Sequence, residues 1–439
     1  MVGESVPAPA QLLRELIRFD TTNPPGGEGP CVAYLRDLFA ARGARTWTLS
    51  QVPGRPNLVV RVAGRGQAPP LLLQGHVDVV TTAGQAWTHP PFAGDLVDGW
   101  VWGRGALDMK GGVAMMAVAL LRCLAEGRPP AGDVVLCCLA DEEAGGEHGA
   151  QFLVDRYPDL LRGIRHGIGE GGASTQHIAG RPFYPIMVAE KRVCRLRVTL
   201  RGPGGHAAAR SHRGGTMARL GELLVALDHS RLPIHVTPAA AGYVRGIAEA
   251  LPGPERSALL ALLNARRAPA VLEAMGEDAD RFEPLLRHTV NATIVRGGEK
   301  INVLPSAVAV DLDGRMLPGF EPEQFISEVR QVIGGEPEVE ILMVGPRLKE
   351  SERGPFYHLL GDVLRELEPA ALPVPLLMTG ATDQRHFARL GIQGYGYLPL
   401  RLPRGFGQET VHAADERVPA SALDFGTNAL SAVLARYRG

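Results

Sequence analysis

The chain has 439 residues, of which 45% are hydrophobic and 21% charged, so it is long enough for two or three folded domains and too apolar for a disordered protein. Its net charge of -1 argues against binding to nucleic acid or to an anionic membrane through bulk electrostatics. The N-terminus lacks the apolar core of a signal peptide, and no apolar run approaches the roughly 20 residues that span a bilayer. We therefore expect a cytoplasmic protein.

Helical and β-rich segments alternate over residues 1–191. Hydrophobic periodicity predicts helices over residues 11–19 and 31–42, and the apolar runs PLLLQGHVDVV and GDVVLCCLA predict buried strands. Between those runs, GVAMMAVALLRCLAEG has the length and period of a helix and ends at a glycine. This alternation predicts an α/β catalytic domain with a mixed, mostly parallel sheet covered by helices.

Longer alternating strands begin at residue 192. The order strand, helix, strand, strand, helix, strand over residues 192–346 predicts a smaller, inserted α+β domain of ferredoxin-like type. Residues 238–285, rich in Ala, Leu, Arg and Glu, are expected to form a helical insertion within it. Residues 347–439 return to helix and strand and are expected to complete the catalytic domain.

Histidines and acids follow the apolar strands or lie in glycine-rich loops. The residues concerned are His76, Asp78, Asp108, Asp141, Glu142, Glu143, Glu170 and His412. Each has an ordinary explanation when taken alone, such as a polar pair at a strand end, an acid at a helix N-terminus or a solvated acidic loop. Because parallel strands place their carboxyl ends at one edge of a sheet, the residues together predict a mixed nitrogen and oxygen site that suits Zn²⁺.

The motifs GHVDVV, GRGALDMKGG, DEEAGG, GEGG and VHAADERV occur in an order and at spacings typical of one enzyme family. Through them the sequence resembles, over nearly its whole length, the zinc peptidase family that includes glutamate carboxypeptidase, aminoacylase, acetylornithine deacetylase and succinyl-diaminopimelate desuccinylase. The resemblance implies a di-zinc metallohydrolase that cleaves an amide or peptide bond adjacent to a free carboxylate. Its substrate would be a peptide or an N-acyl amino acid.

The resemblance also implies a role for each residue of the cluster. Two ligand sets would each hold one zinc ion and would share Asp108 as a bridge: His76, Asp108 and Glu170, and Asp108, Glu143 and His412. Asp78 would orient His76, and Glu142 would be the general base and then the general acid. The two metals would activate a water molecule and polarise the carbonyl group, and Co²⁺ or Mn²⁺ could take the place of zinc.

By the same resemblance, the smaller domain is a lid and dimerisation domain. His206, in GPGGHAA, would reach the active site of the partner subunit and stabilise the oxyanion, which implies a two-fold homodimer. The helical insertion could block that contact. Asn291 and Arg315 match positions that face the substrate, and an arginine suits a substrate carboxylate.

A TD-x-R turn at Asp383 and Arg385 resembles that of aminoacylase-like and yeast-type carboxypeptidase members of the family. These two residues are predicted to shape the substrate pocket near His412, and a structural ion pair between them is the alternative. Glu416, which follows the last predicted ligand, is assigned to a solvated loop.

Two questions about function stay open at this point. The substrate could be a peptide or an N-acyl amino acid; GEGG, VHAADERV and the extended smaller domain favour the aminoacylase and yeast-type carboxypeptidase branch over the desuccinylase. The chain could also be a non-catalytic zinc-binding scaffold, since a fold does not determine a function. The presence of Glu142 and of every ligand position argues against a scaffold.

Overall fold

The structure is a computed structural model that describes residues 5–209, 215–406 and 410–439. In chain order, its strands are β1 (Arg45–Ser50), β2 (Pro56–Val62), β3 (Leu71–His76), β4 (Asp95–Val97), β5 (Trp100–Trp102), β6 (Val134–Leu139), β7 (His166–Gly169), β8 (Gln176–Ile178), β9 (Arg181–Glu190), β10 (Arg192–Arg201), β11 (Gly205–His206), β12 (Thr289–Arg296), β13 (Val303–Leu304), β14 (Ala307–Met316), β15 (Glu338–Val344), β16 (Leu372–Met378), β17 (Gln393–Gly396) and β18 (Arg417–Pro419).

The α-helices are α1 (Pro9–Ile17), α2 (Gly29–Ala40), α3 (Lys110–Ala125), α4 (Ala150–Arg156), α5 (Thr216–His229), α6 (Pro238–Glu249), α7 (Gly253–Ala261), α8 (Ala268–Met275), α9 (Glu283–Leu286), α10 (Pro322–Ile333), α11 (Pro355–Leu367), α12 (Gln384–Phe387) and α13 (Ala420–Arg436). Within the described ranges, none of them is both long enough and apolar enough to cross a membrane.

The chain divides into two compact units. The first comprises Met1–Val188, Ser351–Leu376 and Thr382–Gly439, and the second comprises Ala189–Glu350 and Leu377–Ala381. Each unit has its own sheet and its own hydrophobic core.

A nine-stranded sheet forms the centre of the first unit, in the order β1-β2-β6-β3-β7-β17-β9-β16, with β8 paired to β9. The central strands β6, β3, β7 and β17 run parallel, whereas β1, β2 and β9 pair antiparallel with their neighbours. β3 and β6 are buried along their whole length, as expected of strands that helices cover on both faces. The predicted mixed α/β sheet is confirmed.

Helix α3 is buried from Lys110 to Leu121 and packs against α1 and α13. Its start is tight against the preceding loop, because a Cβ atom at Gly111 would lie 2.2 Å from the carbonyl oxygen of Ala106. Glycine therefore lets α3 begin directly after the loop that carries Asp108.

The second unit contains a four-stranded antiparallel sheet in the order β12-β14-β10-β15. Alternate residues of β10, among them Leu196 and Val198, point to a core that also contains Leu223 of α5 and Phe325 of α10. Helices α6–α9 occupy residues 238–286 of this unit. Its strands and helices confirm the expected α+β composition of the smaller part of the chain.

Candidate metal centre and active site

The carboxyl ends of three neighbouring parallel strands carry the first part of the site. β3 ends at His76, β6 is followed by Asp141 to Glu143, and β7 is followed by Glu170. Because β6, β3 and β7 are adjacent and parallel, these residues lie at one edge of the sheet. Asp108, from the loop before α3, and His412, from the segment before β18, complete the cluster.

The first donor set consists of His76, Asp108 and Glu170. The Nε2 atom of His76 lies 3.1 Å from Oδ1 of Asp108 and 3.6 Å from Oε2 of Glu170. One ligand atom from each residue falls within 4.8 Å of the others. A single ion could therefore contact all three side chains.

The second donor set shares Asp108 with the first. Nε2 of His412 lies 3.1 Å from Oδ2 of Asp108 and 3.3 Å from Oε2 of Glu143. Asp108 thus directs one carboxylate oxygen towards each histidine. The structure brings together all five residues that the resemblance implies as ligands.

Carboxylates surround both histidines and favour their charged forms. Hydrogen bonds with Asp108 and Glu143 raise the pKa of His412 to about 10. Burial opposes the charge of His76, but the neighbouring carboxylates of Asp108, Asp78 and Glu170 hold its pKa well above the usual value.

The chemistry of this donor set fits divalent zinc. Zn²⁺ is bound in proteins by histidine nitrogens and carboxylate oxygens, and the surplus of carboxylates here stabilises positive charge. Oε1 of Glu143 is buried and has no hydrogen-bond partner among the described residues, so it is available to a cation.

Asp78 contacts His76 through its main chain and the turn after β6 through its side chain. Nδ1 of His76 is 2.9 Å from the main-chain oxygen of Asp78 and 3.5 Å from its carboxylate, so the carbonyl is the nearer acceptor. In the neutral ring that binds a metal, donation from Nδ1 would leave the lone pair of Nε2 facing the donor set. The buried carboxylate of Asp78 accepts hydrogen bonds from the main-chain N–H groups of Glu142 and Glu143, each at 3.2 Å.

Glu142 begins a short 3-10 turn, Glu142–Ala144, that follows Asp141 in the left-handed conformation (φ 72°). Burial and the charge of Glu170 raise the pKa of the Glu142 carboxyl well above its usual value. A carboxyl group with a raised pKa suits transfer of protons near neutral pH.

Sequence reasoning missed a buried network behind this turn. Arg55 binds Glu28 at 2.7 Å and Asp141 at 2.8 Å, and Asn23 donates to Asp78 at 2.8 Å and to Asp141 at 3.2 Å. These contacts hold Asp141 and Asp78, which in turn hold the turn with Glu142. The sequence contained no signal for Arg55, because its partners are 27 and 86 residues away.

The assignment of Glu416 to a solvated loop is wrong. Its side chain is fully buried (0% exposed). It accepts four hydrogen bonds, from Arg104 at 2.7 Å and from the main-chain N–H groups of Gly105, Leu107 and Asp108 at 3.0, 2.7 and 3.0 Å. Glu416 therefore holds the loop that presents Asp108.

Asp383 and Arg385 lie against the loop that follows Glu142. Arg385 donates to the main-chain oxygen of Gly145 at 2.8 Å, and its Nη1 lies 3.8 Å from Oε1 of Glu142. Burial raises the pKa of the Asp383 carboxyl to about 7 in spite of the charge of Arg385. Neither carboxylate oxygen of Asp383 accepts a hydrogen bond from Arg385 or from any other described residue.

Three further predicted site residues belong to the second unit. Asn291 pairs with Asp313 across β12 and β14, and Thr289 pairs with Arg315, so Asn291 and Arg315 project from the same face of this sheet. His206 is exposed on β11, where its Nδ1 accepts a hydrogen bond from the N–H of Ala208 at 3.2 Å.

A third cluster, in the second unit, also contains metal-binding residue types: His235, His288 and Glu328. However, Nδ1 of His288 accepts a hydrogen bond from the N–H of Leu317 at 2.9 Å, so the neutral ring carries its proton on Nε2. Burial lowers the pKa of His288 to about 3. A protonated Nε2 is not a metal ligand, so we do not interpret this cluster as a metal site; within it, His235 and Glu328 form a hydrogen bond at 2.7 Å.

The mixed sheet and the two linked donor sets at its carboxyl edge are those of a metal-dependent hydrolase. The chain belongs to Peptidase family M20/M25/M40, whose sequence profile matches residues 72–436. The family resemblance read from the motifs is thereby confirmed.

Relatives of two kinds are similar to this chain. Succinyl-diaminopimelate desuccinylase of Paracoccus denitrificans (strain Pd 1222) is 30% identical over 445 residues, which cover 98% of this chain and 99% of the relative. A probable carboxypeptidase S-like 2 of Dictyostelium discoideum is 25% identical over 374 residues, covering 80% of this chain and 68% of the relative. One relative is named as a deacylase and the other as a peptidase, so they do not choose between the two activities. The preference for the aminoacylase and yeast-type carboxypeptidase branch stays a prediction.

The fold is also that of a solved structure. The M20 family metallo-carboxypeptidase Sso-CP2 from Sulfolobus solfataricus superimposes with a TM-score of 0.67 at 16% sequence identity. The match covers 96% of this chain and 97% of the other.

Proposed function

We propose that this protein is a two-zinc hydrolase that cleaves an amide or peptide bond adjacent to a free carboxylate. The observation that carries the proposal is the position of Asp108, whose two oxygens lie 3.1 Å from His76 and 3.1 Å from His412. A carboxylate shared in this way suits a bridge between two ions. Glu170 would complete the set of one ion and Glu143 that of the other.

When bound, the two zinc ions would activate a water molecule and polarise the scissile carbonyl group, and Co²⁺ or Mn²⁺ could do the same. Glu142 would accept a proton from the attacking water and return it to the departing nitrogen. The position of Glu142 directly before the predicted ligand Glu143, in the same 3-10 turn, supports this role. Asp78 would keep Glu142 and Glu143 in place through its two main-chain hydrogen bonds.

The relatives and Arg315 support the proposed substrate class. One relative is named a desuccinylase and another a carboxypeptidase, and we infer for this chain an amide substrate that carries a carboxylate. Arg315 and Asn291 would bind that carboxylate, and Asp383 and Arg385 would shape the pocket. An N-acyl amino acid and a peptide are the two alternatives.

We assign residues 1–191 and 347–439 to the catalytic domain and residues 192–346 to a lid and dimerisation domain. Exposed apolar side chains on the edge strands of its sheet, among them Ile294 and Val295 on β12 and Ile341 and Met343 on β15, support a homodimer. Cytoplasmic location is proposed from the sequence alone.

His206 would act across that dimer interface. Because its Nδ1 accepts a hydrogen bond from Ala208, the neutral ring carries its proton on Nε2. An exposed N–H of this kind can donate to the oxyanion in the partner's site.

Amine release from a panel of N-acyl amino acids and dipeptides tests the proposal. Metal-free protein would be assayed with and without about two equivalents of Zn²⁺. Zinc-dependent release from one part of the panel would support the hydrolase and choose between deacylase and peptidase. Stoichiometric zinc binding without release from any substrate would favour a non-catalytic scaffold.

A further inference from the structure

Lys191 is a buried lysine without a carboxylate partner in the described part of the second unit. Its side chain is 1% exposed, and its Nζ donates to Oγ1 of Thr289 at 3.4 Å. Burial and the charge of Arg315 lower the pKa of Lys191 to about 7. Buried lysines are normally paired with an acid, so an ammonium group beside a second cation is an unusual arrangement.

The hydrogen bond to Thr289 places Lys191 against β12, the strand that also carries the predicted substrate residue Asn291. Thr289 is opposite Arg315, and Asn291 is opposite Asp313. Side chains two residues apart share a face of a strand, so these four residues project from one side of β12 and β14. The helices α5 and α10 pack on the other side, around Leu196 and Leu312.

The carboxylates on this polar face already bind arginines. Asp311 accepts hydrogen bonds from Arg197 at 2.7 and 3.1 Å and also contacts Arg296. Asp313 accepts from Nε and Nη2 of Arg315, each at 3.1 Å. When Lys191 is protonated, it and Arg315 together carry one more positive charge than Asp313 neutralises.

Arg315 keeps donors for a ligand. Its bonds to Asp313 use Nε and Nη2, whereas Nη1 has no hydrogen bond to any described residue. Nη1 of Arg315 and Nζ of Lys191 are both donors of the kind that binds carboxylate oxygens. A bound carboxylate would supply the missing negative charge.

We propose that Lys191 is the second cation of a substrate carboxylate site that also contains Arg315, Thr289 and Asn291. This inference rests on the proposed function and makes Lys191 a residue that determines specificity. It explains why the protein keeps a buried lysine that would otherwise be costly. An uncharged amide in place of the carboxylate would leave both cations without an anion.

The test compares an N-acyl amino acid with its carboxamide as substrates of the zinc-loaded protein. Lys191→Met removes the charge and keeps an unbranched side chain. We expect it to lower kcat/KM for the acid by roughly 10- to 100-fold, mainly through KM, because a charged hydrogen bond is lost. We expect kcat/KM for the carboxamide to change by less than about 2-fold.

Arg201→Met is the matched control, because Arg201 lies at the other end of β10 and is largely exposed. It should leave both substrates unaffected. If Lys191→Met fails to fold, Lys191→Gln, which keeps a donor without a charge, takes its place, and we expect it to lower kcat/KM for the acid and not for the carboxamide.

An equal loss of kcat/KM with acid and carboxamide would show a structural role, and an unchanged kcat/KM with both would show that Lys191 does not bind the carboxylate. Either result overturns this inference while the wild type remains an active hydrolase. Absence of zinc-dependent release by the wild type would instead overturn the proposed function and this inference with it.

Discussion

The buried carboxylate of Glu416 provides a sharp test of how Asp108 is held. Glu416→Gln keeps the shape of the side chain but removes its charge and places an NH₂ group against N–H donors. Arg104, whose Nη1 lies 2.7 Å from Glu416, would keep a buried charge without its partner. Breaking a buried ion pair on one side costs about 3–5 kcal/mol, and we expect a loss of that size in the free energy of unfolding.

The same substitution should weaken zinc binding. Glu416 accepts hydrogen bonds from the N–H groups of Leu107 and Asp108. The glutamine amide in its place would accept them less well and would let the loop move away from the donor sets. Loss of a contact that holds a metal ligand in place typically lowers metal affinity by 10- to 100-fold, and we expect zinc affinity to fall by roughly that factor. Urea unfolding of the metal-free protein and competition for zinc with a chromophoric chelator would measure the two effects.

Glu126→Gln is the matched control for Glu416→Gln. Glu126 is exposed at the end of α3, so its substitution should alter neither unfolding nor zinc affinity. If Glu416→Gln unfolds at the same urea concentration as the wild type and binds zinc as tightly, Glu416 does not hold the loop that presents Asp108.

Three further predictions concern single side chains. Glu142→Gln should lower kcat by about 10²- to 10⁴-fold while zinc binding is retained; normal turnover would contradict its role in proton transfer. His206→Ala should be nearly inactive alone. Mixing it with Glu142→Gln should restore about a quarter of the wild-type activity, because half of the dimers would then contain one complete site of their two. No recovery of activity would argue against action across an interface. His288 has its pKa lowered to about 3, so the unfolded chain binds its proton first as the pH falls. The stability that this residue contributes is present above about pH 6.5 and is lost as the pH falls towards 3, with a slope of up to roughly 1.4 kcal/mol per pH unit. Urea midpoints of His288→Asn should show a shallower dependence over that window than those of the control His229→Asn, and parallel curves would contradict the prediction.

Four of the five residues of the donor cluster could be anticipated from strong local signals in the sequence, whereas His412 is placed in it through the family motif VHAADERV. His76 and Glu143 follow apolar strands, and Asp108 and Glu170 lie in glycine-rich loops. Local patterns predict the strands, and the rule that parallel strands end at one edge brings the residues together. The mixed sheet followed from the same signals.

The residues that hold the cluster could not be anticipated in this way. Arg104 and Glu416 are 312 residues apart, and a charged residue in a polar segment is ordinarily solvated. Only the folded chain shows that three main-chain N–H groups surround Glu416. The contact of His76 with the carbonyl of Asp78, instead of its carboxylate, likewise depends on the path of the backbone after β3.

The central claim is that two linked donor sets bind zinc and make the protein an amide hydrolase. Its most direct test is a zinc titration of metal-free wild type and of Asp108→Asn, with bound zinc and amine release measured on the same samples. We expect the wild type to bind about two equivalents and to gain activity with them, and we expect Asp108→Asn to lose affinity at both sites and to be inactive. Activity without metal, or two intact sites in Asp108→Asn, would contradict this claim.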